Sequence, residues 1–127
     1  MTELRSDLGR VRGLGSAKEG VGHWWAQRIT AIALAPLSIW FVFAVVSLLG
    51  ADLNTYEHWI GVFGNMLLML MTIFVLFYHA HLGMQIVIED YVHTEYMRVI
   101  ALIIVKLVLA SLAASCVLAV VLAALRS

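Results

Sequence analysis

The sequence of 127 residues holds a single cysteine, Cys116. One thiol excludes an internal disulfide and every multi-cysteine zinc or iron–sulfur motif. Charge is scarce as well: Asp, Glu, Lys and Arg make up 13% of the chain against 63% hydrophobic residues. A soluble domain of this size carries about a quarter charged residues, because it must wet a surface around one core. Eight basic residues balance eight acidic ones, so no bulk attraction to nucleic acid exists. Zinc motifs, a nucleophile elbow and paired catalytic carboxylates are all missing. The glycines of Leu8-Gly-Arg-Val-Arg-Gly-Leu-Gly15 have the look of a phosphate loop, but no strand precedes them and an apolar segment follows.

What is present is long apolar runs. Residues 1–28 hold Arg5, Arg10, Arg12, Lys18 and Arg28, with Glu3, Asp7 and Glu19 among them. Residues 29–50 then run without a charge, and at ~1.5 Å per residue they reach about 33 Å, enough for a ~30 Å hydrocarbon layer. A polar break from Asp52 to His58 leads into residues 59–88, again without Asp, Glu, Lys or Arg. That run exceeds one span, so its buried part is expected near 66–88, with 59–65 at the interface or in a tilt. After a second break, Glu89 to Arg98, residues 99–125 form a third run interrupted only by Lys106. Lipid offers the backbone no hydrogen bonds, so these runs predict three transmembrane helices. The fold class is an all-α membrane protein, one membrane-anchor domain over 1–127 with a cytoplasmic arm at 1–28. Pro36 is tolerable in the first span, where neighbouring helices take up the freed carbonyl. A cleaved signal peptide fits poorly, the first run being too long and its end lacking a small-residue cleavage site.

Basic residues near the span ends set orientation. An N-terminus inside puts six of them in the cytoplasm, counting Arg98, and Arg126 alone outside. The N-terminus is therefore expected to be cytoplasmic and the C-terminus periplasmic. Trp24, Trp25, Trp59 and Tyr91 fall at span ends, where amphipathic rings are at ease.

An ionisable side chain inside an apolar span needs a partner. The second span carries two, in Phe77-Tyr-His-Ala-His-Leu-Gly-Met-Gln85. His79 stands eleven residues before Asp90, about 16 Å along a helix, and shares a stripe with Gly83, Ile86 and Asp90. His81 points roughly the opposite way, which suits an interhelical hydrogen bond or a polar gap-filler. Two readings of His79 stay open from the residues alone: a histidine bonded between helices, or an axial ligand of haem iron. Gly83 would let a flat macrocycle or another helix approach closely. Glu89-Asp90-Tyr91 reads either as charges and an aromatic anchor ending a helix, or as a phenol and carboxylate serving a lipid-soluble quinone. Arg28 is either a positive-inside anchor or the partner of an anion such as a haem propionate, with His23 assisting. Lys106 can snorkel to the interface. Ala110, Ser111, Ala113, Ala114 and Ser115 suit close helix packing.

The stretch His79-Ala-His-Leu-Gly-Met-Gln-Ile-Val-Ile-Glu-Asp90-Tyr91 resembles the second-helix motif of the hydrophobic membrane-anchor family of succinate dehydrogenase, in its alphaproteobacterial form. That motif has a histidine, a glycine four residues on, and an Asp-Tyr pair eleven and twelve residues on. Gln27-Arg28-Ile-Thr-Ala-Ile, Thr55-Tyr-Glu-His-Trp-Ile-Gly61 and the arm from Leu8 to Lys18 are similar to it too. The resemblance implies pairing with a second three-helix anchor, the cytochrome b partner, in a bacterial inner membrane. Together the two would seat an iron–sulfur subunit and a flavoprotein subunit, forming respiratory complex II. It further implies His79 as one axial ligand of haem b, Arg28 and more weakly His23 at a haem propionate, and Tyr91 with Asp90 at ubiquinone. Dicarboxylate chemistry would lie on other chains. A purely structural anchor and the anchor of a fumarate reductase are the alternatives. The orientation is testable directly: an alkaline phosphatase fused after Ser127 is expected to be active, as in the periplasm, and an inactive fusion would reverse the topology.

Overall fold

A computed structural model describes residues 15–127, with side chains from Val21 onward. Half of the expected N-terminal arm, residues 1–14 with Arg5, Arg10 and Arg12, lies outside the described residues. The described chain is four helices: α1 over Gly15–Ser47, α2 over Leu53–Gly61, α3 over Phe63–Tyr91 and α4 over Glu95–Leu125. Among the described residues, three stretches are long and apolar enough to cross a membrane: Val21–Ser47, Phe63–Tyr91 and Glu95–Leu125. No strand occurs among the described residues.

The helices overrun the apolar runs. The first begins at Gly15, ahead of Ile29, and the last at Glu95, ahead of Val99. A run of uncharged residues marks what lipid accepts, whereas a helix continues into the headgroup layer for as long as its backbone bonds remain favourable. Pro36 lies inside α1 without ending it.

The segment expected at the interface or in a tilt resolves into two pieces. Residues 53–61 form a short separate helix, and Val62 at φ −70° and ψ 129° breaks the chain before α3. The Asn65 side-chain amide donates to the Trp59 carbonyl at 2.9 Å, alongside the Val62 backbone N–H at 3.3 Å, and so ties the start of α3 to the end of α2. Gly50, at φ +77°, makes the turn out of α1, a left-handed conformation that costs a residue with a side chain about 1 kcal/mol or more.

Helix α3 is central, packing on α1 along one side and on α4 along the other, while α2 packs on α4 and the start of α3. The densest core sits at the α2 end. Ile60 is wholly buried there against Ile73 and Val120, with Tyr56, Trp59, Met66 and Phe77 around them. Trp59 stacks on Trp40 of α1 at 6.0 Å between ring centroids, a contact worth about 0.5–1.5 kcal/mol beyond its area. Arg126 meets Glu57 at 3.6 Å, so the C-terminus and α2 share one end of the bundle. The Val92–Thr94 turn lies at the other, where the Arg98 Nε–H donates to the Val92 carbonyl at 3.2 Å. Elsewhere the helices present apolar side chains outward, among them Ile32, Phe43, Phe74, Ile104 and Leu118. Lipid or another helix is the only favourable environment for such faces.

Helix α2 owes its start to Asp52, whose Oδ1 accepts from the Thr55 backbone N–H at 2.9 Å. Hydrogen bonds from the Thr55 side chain and then its backbone hold the Asp52 carboxyl below its ordinary pKa. A depressed carboxyl contributes its stability above the unfolded value of about 4 and loses it as pH falls through the lower folded value. Amide exchange at Thr55, expressed relative to the intrinsic rate at each pH, is therefore expected to accelerate as pH drops below about 4. Asp52→Asn should keep the cap and remove that extra acceleration. Equal acid sensitivity in both proteins would assign the effect to the Glu57–Arg126 pair instead.

Candidate functional site

One group of polar side chains gathers between α1 and α3. On α1, His23, Gln27 and Thr30 recur at intervals of four and three, which puts them on one helix face. That face meets His79 and Gly83 of α3. Thr30 Oγ1 lies 2.9 Å from His79 Nδ1, and the Gln27 Nε2 is the group a methyl at Gly83 would touch, at 3.8 Å. The Thr30 hydroxyl is also 2.7 Å from the Ala26 carbonyl and 3.0 Å from that of Gln27. Its residue is 8% exposed, so water does not compete for these bonds. A side-chain bond between membrane helices is worth about 0.6–2 kcal/mol.

Two buried polar atoms on the same face have no partner among the described residues: His23 Nε2 and Gln27 Oε1. An orphaned buried polar atom costs about 1–3 kcal/mol, and native structures rarely leave two side by side. These two atoms call for a polar partner beyond the described residues. His79, which is half-buried, bonds through Nδ1, and its Nε2 is not among the enclosed orphaned atoms. Gly83 does what the sequence suggested only in part. The helix approaching it within this chain is α1, at an ordinary van der Waals distance that leaves room for a methyl group.

His81 points to the other side of α3, as its two-residue offset from His79 requires. There it lines an open groove of about 310 Å³ between α3 and α4, with Phe74, Phe77, Tyr78, Lys106 and Ala113. The two histidines therefore face different neighbours, and among the described residues only His79 is held by a hydrogen bond. The small residues of α4 divide as well. Ala110 and Ala113 line that groove, while Ser111, Ala114 and Ser115 face outward.

Arg28 is not on the His79 face. Two residues from Thr30 is about 160° around α1 once the turn is counted in the other direction, and its guanidinium stands 5.1 Å from the Trp24 ring centroid. A cation over an indole at a span end is an interfacial anchor. Tyr91 is the last residue of α3 and 77% exposed. Asp90 beside it is also exposed, and the Gln85 amide donates to the Glu89 carboxylate at 3.1 Å one turn earlier. The helix runs unbroken from His79 to Tyr91, so the His79, Gly83, Ile86, Asp90 stripe holds.

Sequence reasoning singled out His79 and missed Thr30 and Gln27. The signal was legible: three polar residues at helical spacing on one face of an otherwise apolar span. Among the described residues, no group of three or more His, Cys, Asp or Glu could hold a metal ion by itself.

Three apolar spans with a polar face between two of them define a multi-pass membrane protein. Residues 2–123 match the family described as the transmembrane subunit of succinate dehydrogenase and fumarate reductase, and the chain belongs to that family. It is 35% identical over 106 residues to the succinate dehydrogenase hydrophobic membrane anchor subunit of Rickettsia conorii, covering 83% of this chain and 84% of that one. The Rickettsia bellii protein of the same name is 36% identical over 105 residues, with the same shares covered. The corresponding anchor protein of Paracoccus denitrificans is 36% identical over 84 residues, 64% of this chain and 63% of the relative. No solved structure matches. The chain is thus a membrane-anchor subunit of the complex II enzyme, not the subunit that acts on the dicarboxylate.

Proposed function

We propose that this chain works in the bacterial inner membrane as one of two anchors, holding one side of a haem b and one wall of a ubiquinone site. The other anchor, an iron–sulfur subunit and a flavoprotein subunit would make up the rest of the assembly. The observation that carries the reading is the His79 ring: one nitrogen held by Thr30 and the other free, deep in a span. A neutral imidazole held in this way is the usual form of a haem ligand. Haem bound there supplies a one-electron redox centre.

The residues fit such a group. His79 would ligate through Nε2. The buried, unpartnered His23 Nε2 lies on the same side of α1 and would donate to a propionate. Arg28 would meet a propionate only where the haem edge reaches round α1, and its contact with Trp24 supports an anchoring role first. At the end of α3, Tyr91 would donate its hydroxyl proton in a hydrogen bond to a quinone carbonyl, polarising it for reduction. Asp90 alongside would orient the headgroup and pass protons. The exposure of both side chains in this chain alone supports a site closed by the neighbouring subunits. The N-terminus and the Val92–Thr94 turn then belong to the cytoplasmic side, where the soluble subunits would dock.

A reduced-minus-oxidised optical spectrum of the purified complex tests the cofactor. A b-type band is expected, and its absence from preparations that retain their other cofactors would leave a structural anchor only. His79→Ala should lose haem while His81→Ala keeps it, because only His79 lies on the polar face. Equal loss, or the opposite order, would overturn the assignment. Tyr91→Phe is expected to assemble normally and to slow quinone reduction about tenfold or more, the loss of one charge-polarising hydrogen bond. Unchanged turnover would remove Tyr91 from the site.

A further inference from the structure

We infer that Thr30 is the positioning residue that selects the tautomer of His79 and thereby leaves Nε2 free for iron. The inference rests on the reading of His79 as a haem ligand and goes beyond it by assigning the group that prepares the ligand. A threonine hydroxyl has one hydrogen and two lone pairs. Thr30 Oγ1 stands 2.7 Å from the Ala26 carbonyl and 3.0 Å from the Gln27 carbonyl. Oxygens at 2.7 Å repel unless a proton lies between them, so the Thr30 hydrogen is committed to the α1 backbone.

The 2.9 Å contact between Oγ1 and His79 Nδ1 must then be closed by a hydrogen on the ring nitrogen. Nδ1 donates and Oγ1 accepts. A neutral imidazole carries only one N–H, so Nε2 keeps its lone pair. With the opposite tautomer, Nε2 would bear the hydrogen and could not bind a metal.

The same bond sets the orientation of the ring. It runs between two transmembrane helices at a residue nearly closed to solvent, so the imidazole plane is tied to the α1 backbone through a single hydroxyl. An Nδ1–H donor bond also raises the basicity of the ligating nitrogen, which favours the ferric state and lowers the haem potential. Serine preserves the acceptor. Valine preserves the shape and removes it.

The test uses the complete complex, purified from cells expressing Thr30→Val or Thr30→Ser beside the wild type and His79→Ala. Three quantities are read: recovery of the soluble subunits, haem per complex after detergent washing, and the haem midpoint potential with its low-spin electron paramagnetic resonance signal. Thr30→Val is expected to recover the soluble subunits, to hold haem about tenfold more weakly, to shift the potential upward and to alter the resonance. Thr30→Ser should restore all three to wild-type values. Wild-type potential, resonance and retention in Thr30→Val would overturn the inference while leaving His79 a ligand. So would failure of both Thr30 variants to assemble where His79→Ala assembles, since Thr30 would then serve packing alone. If His79→Ala keeps a wild-type haem spectrum, the ligand assignment itself fails, and the Thr30–His79 bond is a contact between helices.

Discussion

Lipid cannot hydrogen-bond a peptide group, and that constraint runs through the whole chain. Each span must satisfy its own backbone, so each is a continuous helix. Each polar side chain inside must find a partner on a neighbouring helix or on its own carbonyls. Thr30, Thr72 and Ser115 show the second route, each bonding the carbonyl four residues back. Thr30 alone of these also reaches a side chain on another helix. The pairing of α1 with α3 is therefore both a packing contact and the polar device of the interior.

The central position of α3 turns two nearby histidines into different chemical objects. His79 faces the polar stripe of α1, where its ring is held. His81, on the other side, opens on a mostly apolar groove against α4. Residues two apart on a helix always diverge in this way. The three-helix unit thus combines one polar face with broad apolar flanks.

The other end of the molecule is built for rigidity. Ile60 is buried, Trp40 and Trp59 are stacked, and Arg126 and Glu57 join the C-terminus to α2. Fixing α2 there settles where α3 begins. Because α3 runs without interruption from Phe63 to Tyr91, it carries that placement along its length to His79 and then to Tyr91.

Three spans, their approximate positions and the stripe from His79 to Asp90 were legible in the residues, because lipid demands uncharged runs and helical periodicity is fixed. So was the need of a histidine in that run for a partner, since an imidazole in an apolar span cannot stand alone. Other features depended on which helices lie side by side. Residues 53–61 form a helix of their own because Asp52 caps it and Val62 breaks it, a local event that hydropathy does not report. The parting of Arg28 from His23 follows from rotation about α1 relative to a neighbour. Thr30 gained its meaning only when α1 was set against α3. Sequence alone determined that this chain crosses a membrane three times and buries a histidine in doing so, because the energetics of lipid act on each segment separately. Tertiary structure alone decided which hydroxyl that histidine meets and which of its nitrogens stays free, because those depend on a contact between residues forty-nine positions apart.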